Sequence, residues 1–155
     1  MGILRNIRLR FSPPRLQDPE FGPMRFMFIP HAPARSYWEA EWRFPPTNTD
    51  ISIGVGGDEN GPRADARAFY LALPAQFEQL MARVRPALDK VFQQWYSRPM
   101  ANDLWQDVKL ARFGVDDLDA KPPKWDVSFE AIGEKWLGIT VPIDGDRVLD
   151  AVVDT

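Results

Sequence analysis

The chain has 155 residues, 45% hydrophobic and 26% charged, with six Trp, ten Phe and no cysteine. That balance fits one globular domain over 1–155 with an aromatic core and excludes a disordered chain; the missing cysteine excludes disulfides, thiol catalysis and thiolate zinc sites, and suits a reducing cytoplasm. The formal charge is −3, but residues 1–15 carry Arg5, Arg8, Arg10 and Arg15 and no acid, so 15 basic residues face 22 acidic ones in the remainder, and an acidic body argues against nucleic acid as the main partner.

Residues 1–17 read as a basic N-terminal arm. Ile3, Ile7 and Phe11 fit a helical stripe, while Ile3, Ile7, Leu9 and Phe11 fit a strand, and both readings stay open. Arg5, Arg8 and Arg10 interrupt the apolar run that a secretory signal needs, and Asn6 stands where a myristoylation signal takes Ser or Thr. The arm has the charge to touch an acidic surface or anionic lipid. No later segment approaches the roughly 18–20 apolar residues of a membrane span, so the expectation is a cytoplasmic protein with no span.

Pro13, Pro14, Pro19, Gly22 and Pro23 mark residues 12–23 as an irregular lead-in. Met24–Ile29 reads as a first strand. In Tyr37–Phe44, Trp38, Ala40, Trp42 and Phe44 alternate with Tyr37, Glu39, Glu41 and Arg43, which predicts a strand with one buried and one wet face. After Pro45-Pro46-Thr47-Asn48-Thr49, the alternation of Ile51, Ile53 and Val55 predicts its hairpin partner. Gly54-Val55-Gly56-Gly57 with Gly61 has the position of a phosphate loop, but it lacks the Lys-Ser/Thr and holds Asp58 and Glu59. It therefore reads as a strand-to-helix connector.

Phe77, Leu80, Met81, Val84, Leu88, Val91, Phe92 and Trp95 recur at helical spacing. Pro62 suits the first helical position, and Pro74 and Pro86 predict a division into two or three short helices or a kink near Arg85. Strands resume at Val108–Val115, Trp125–Ala131, Leu137–Ile143 and Arg147–Val153. Asp144-Gly145 predicts a type I′ hairpin between the last two. The fold class that follows is α+β: an antiparallel sheet in the order β-β-β-α(α)-β-β-β-β, with a helical pair packed on one face.

No catalytic constellation stands out. The single histidine, His31, lies in a proline-rich loop, and no Gly-x-Ser-x-Gly elbow exists. Asp116, Asp117 and Asp119 lack EF-hand spacing and read as a turn. Neither a metal nor a cofactor is indicated. The candidate binding residues are Glu39, Glu41, Arg43, Asp126 and Glu130, with Ser128, on the polar faces of two predicted strands. If those strands are neighbours, four carboxylates crowd one surface, able to engage a basic protein partner or, in the alternative, to serve a carboxylate- or divalent-metal-dependent enzyme. Trp105 and Trp136 are candidate surface anchors for a partner.

Asp18-Pro19-Glu20-Phe21-Gly22, Tyr37-Trp38-Glu39, Gly61-Pro62, Asp103-Leu104-Trp105, Trp125-Asp126-Val127-Ser128-Phe129 and the Asp144-Gly145 hairpin together resemble a group of small bacterial proteins of unknown function. Some relatives of that group are suspected immunity proteins for secreted or contact-delivered toxins. The resemblance spans most of residues 18–155 and implies a stand-alone cytoplasmic bacterial domain; the missing catalytic constellation, the acidic body and the Glu39/Glu41 surface lead to the expectation of stoichiometric protein binding.

Overall fold

The computed structural model describes residues 2–133 and 135–155; Met1, at the head of the basic arm, and Glu134 lie outside the described residues. The elements run α1 (Gly2–Phe11), β1 (Arg15–Asp18), β2 (Gly22–Met27), β3 (Tyr37–Phe44), β4 (Thr49–Asp58), β5 (Gly61–Pro62), α2 (Ala64–Tyr96), β6 (Val108–Asp117), β7 (Lys124–Ala131), β8 (Gly138–Asp144), β9 (Arg147–Val148) and β10 (Val152–Asp154). Short 3₁₀ turns lie at Pro33–Arg35 and Leu104–Gln106. The fold is α+β with strands that are mostly, not purely, antiparallel. The chain divides into two compact units, Met1–Pro74 and Ala75–Thr155.

In the first unit β1, β2, β3 and β4 form an antiparallel meander, and β5 pairs with the end of β4. β3 has the predicted bounds because its alternation is strict. Trp38, Ala40, Trp42 and Phe44 are buried, and Trp38 and Phe26 meet at 5.3 Å. The lead-in before Met24 is not irregular. Leu16 and Met24 pair across the β1–β2 hairpin, and Asp18 closes it by accepting the backbone N–H groups of Glu20 and Phe21. Phe21 is buried edge-on against Trp42 at 5.1 Å and Tyr70 at 6.4 Å.

The glycine cluster belongs to β4 and is not a connector. A Cβ at Gly57 would collide with the Gly61 carbonyl, so glycine there lets β5 approach. Residues 2–11 take the helical of the two open readings.

α2 is one helix of 33 residues, not a helical pair, and it runs through Pro74 and Pro86. Each proline costs a helix about 3 kcal/mol in isolation. Against that stands a continuous stripe of buried side chains: Ala66, Tyr70, Leu73, Phe77, Leu80, Met81, Val84, Leu88, Val91 and Phe92. Burying each of the larger ones contributes roughly 1.5–3 kcal/mol, so tertiary burial outweighs the local break.

In the second unit β6, β7, β8 and β10 pair antiparallel, and β9 pairs with the end of β8. Val127, Phe129, Ile139, Val141 and Phe113 are fully or nearly fully buried, and Phe77 of α2 packs edge-on against Phe113 at 6.4 Å and stacks on Trp105 at 5.8 Å. The predicted last strand is split into β9 and β10. The β8–β9 hairpin is real, but its two loop residues are Gly145 and Asp146, because Asp144 pairs with Arg147. Only Gly145 has a positive φ, at 61°, so the turn has the glycine-first pattern of type II′ in place of the predicted I′.

Candidate functional site

The two sets of candidate residues lie on separate strand groups. β3 is flanked by β2 and β4, and β7 by β6 and β8, so the two strands are not neighbours and the condition for one crowded carboxylate surface is not met. On β3 the predicted polar positions do avoid the core. Each is matched by a neighbour: Glu39 pairs with Arg25 at 2.7 Å, Glu41 accepts from the Ser52 hydroxyl at 2.9 Å, and Arg43 lies 3.6 Å from Asp50 and donates to the Asn48 carbonyl. Arg15, Arg25 and Arg43 stand on the same face as Glu39, Glu41 and Asp50. This face is charge-balanced, where the sequence predicts an acidic one.

The face of β7 is different. Its predicted wet positions, Asp126 and Ser128, are buried; only Glu130 is exposed. Residues directly opposite each other in antiparallel strands share a face. One row across this face is therefore Arg112, Ser128, Thr140 and Val152, and the next is Gly114, Asp126 and Pro142. The Ser128 and Thr140 hydroxyls hydrogen-bond to each other at 2.9 Å. The third row is Lys109, Glu130, Gly138 and Asp154, and the Trp136 indole lies over it: a Cβ at Gly138 would meet that ring at 3.2 Å.

Asp126 is the unusual group. It is 9% exposed, and its Oδ1 has no hydrogen-bond partner among the described residues. Gly114, opposite it, leaves the room into which Asp126 and Arg112 fold. A Cβ there would collide with Arg112 Nη2 and stand 3.0 Å from Asp126 Oδ2. Burial pushes the Asp126 carboxyl above its ordinary pKa, and the Arg112 charge opposes that rise. A buried carboxylate oxygen lacking a donor costs roughly 1–3 kcal/mol, so such groups are rare without a reason. On the same face Val152, one row away, is 58% exposed, and Trp136, over the row beyond, is 54% exposed.

The arrangement suits recognition of a hydrogen-bond donor or cation, with an aromatic and an aliphatic anchor on the same face. Among the described residues no group of three or more His, Asp or Glu could hold a metal ion. His31 is exposed in its loop. Asp117 accepts the N–H groups of Asp119 and Ala120, which makes that acidic stretch a turn. Trp105, stacked on Phe77, is half-buried; Trp136 is the exposed one of the two candidate anchors. Arg112, Gly114, Thr140 and Val152 carry no signal in a one-strand reading, since only cross-strand register brings them to Asp126.

No family model, no curated protein and no solved structure matches this chain.

Proposed function

We propose that this chain is a stoichiometric protein-interaction module of the bacterial cytoplasm, which docks a basic partner on the β6–β7–β8–β10 face. Asp126 and Glu130 supply the acceptors. Trp136 and Val152 supply the apolar contact. The observation that carries this reading is the buried Asp126 Oδ1, which has no hydrogen-bond partner among the described residues and lies on a face that carries two exposed anchors. A Lys or Arg side chain of a partner would satisfy that oxygen and bring the carboxyl back toward its ordinary pKa. Glu39, Glu41 and Arg43 are a second, lesser contact surface, because their charges already have partners. Following the resemblance, the partner is a toxin that the module masks, as an immunity protein would.

The test is affinity capture from native lysate at low and moderate salt, with wild type, Asp126→Asn and the double variant Trp136→Ser/Val152→Ser side by side. One near-stoichiometric basic protein, held by wild type and lost from both variants while neither variant melts below wild type, supports the reading. Capture that is identical for all three chains, or empty for all three, counts against it.

A further inference from the structure

The N-terminal helix carries a surface that the partner-binding face does not account for. At 3.6 residues per turn, Ile3, Leu4, Ile7 and Phe11 of α1 fall within an arc of about 100°. They are 78%, 80%, 49% and 76% exposed. Leu9, on the opposite side, is buried. Arg5, also away from the arc, is tied to Glu59 by two contacts, 2.7 Å from Nη2 to Oε1 and 3.2 Å from Nε to Oε2. The helix is thus held by its polar-and-Leu9 side and turns four large apolar side chains outward. Arg8 and Arg10 border the arc, one on each side, and the Arg10 guanidinium lies 5.6 Å from the Phe11 ring centre. No acidic residue occurs in α1.

We infer that α1 seats the protein peripherally on an anionic lipid surface. The charge pattern selects this occupant. An apolar arc with arginines on both borders puts side-chain tips at headgroup level while the arc enters the acyl boundary. Four arginines within residues 1–15, with no acid, match a negatively charged leaflet. No helix of the described residues is long and apolar enough to cross a membrane, so the contact lies in the interface plane.

The full chain is tested by co-sedimentation with vesicles of phosphatidylcholine alone and of phosphatidylcholine with one-third phosphatidylserine. Wild type is expected to bind the anionic vesicles roughly tenfold or more tightly, with affinity falling as salt rises. Ile7→Ser/Phe11→Ser is expected to lose binding to both vesicles, and Arg8→Gln/Arg10→Gln to lose only the anionic preference. These positions are exposed, so all variants should keep the wild-type melting curve. No sedimentation with anionic vesicles overturns the inference. So does a concentration-dependent dimer that Ile7→Ser/Phe11→Ser abolishes, since that assigns the arc to a second copy of the chain. Either failure leaves the Asp126 face untouched, because the two surfaces rest on different residues.

Discussion

Replacing Asp18 by Asn tests whether the first hairpin is locked by charge. Asp18 is buried, and its carboxylate takes both Nε and Nη2 of Arg67, at 2.9 and 3.0 Å, besides the two backbone N–H groups of its own turn. The Arg67 hydrogen bonds are the main cause that lowers its pKa from 3.8 to about 2. A folded-state pKa below the unfolded one stabilises the fold above the unfolded value, and the contribution disappears as pH falls through the folded value. At about 1.36 kcal/mol per pKa unit the full shift corresponds to roughly 2.4 kcal/mol. The Arg67 side chain is 30% exposed, and solvent screening brings the expected effect to about 1–2 kcal/mol. Asn keeps the acceptor for the turn and loses the charge. Asp18→Asn should therefore lower stability by about 1–2 kcal/mol at pH 7, with the difference shrinking between pH 4 and about pH 2. Urea midpoints read from Trp fluorescence at pH 7, 4, 3 and 2.5 measure this. A difference that stays constant across that range, or one below about 0.5 kcal/mol at pH 7, would refute the reasoning, because the pair would then be worth no more than an exposed ion pair.

Three further predictions concern local strain and the candidate site. Ser97 follows the last residue of α2 with φ at 55°, so Ser97→Gly should raise stability by about 0.5–1 kcal/mol in thermal melts; a loss would mean that the side chain holds the helix end. Gly145→Ala should cost about 1–2 kcal/mol, since φ is 61° and the new Cβ would stand 2.8 Å from Pro122 Cβ, and Gly145→Val should cost more; a neutral result at either substitution would put the turn elsewhere. Asp126→Asn should stabilise the isolated chain by about 1 kcal/mol at neutral pH, because it removes a buried charge. The raised folded-state pKa makes that gain vanish as pH falls below the ordinary carboxylate value, where wild type is protonated in both states; urea midpoints that show no gain at pH 7 would mean that the carboxylate is adequately solvated.

The strands were legible where apolar and polar residues alternate along the sequence. Tyr37–Phe44 has its predicted bounds, and β7 and β8 differ from prediction by one residue at each shifted end. α2 was over-divided because the proline rule is local and the burial that overrides it is not. The N-terminal arm stayed ambiguous because Ile3, Ile7 and Phe11 satisfy two periods at once. Asp126 and Glu130 were legible as polar positions of one strand, but the burial of Asp126 was not. It follows from what the neighbouring strands place beside it, a glycine on β6 and a proline on β8, with Arg112 folded over. A single strand's alternation tells which face a residue takes and says nothing of how deep that face lies.

The short motifs that stand out in the sequence have structural explanations. Asp18 to Gly22 is a capped hairpin. Asp103 accepts the Trp105 N–H and closes a 3₁₀ turn, and Trp125 Nε1 donates to the Gly145 carbonyl at 3.0 Å, which ties β7 to the β8–β9 turn. Residues that hold a fold together predict the fold of a relative and not its partner. A partner-specific contact is more plainly marked by groups that the fold does not use: the Asp126 oxygen, which has no partner among the described residues, Trp136 and Val152 on the same face, and the exposed apolar arc of α1. Substitutions at those positions that leave the fold at least as stable, with loss of capture or of lipid binding, would separate function from folding in a way that the structural motifs cannot.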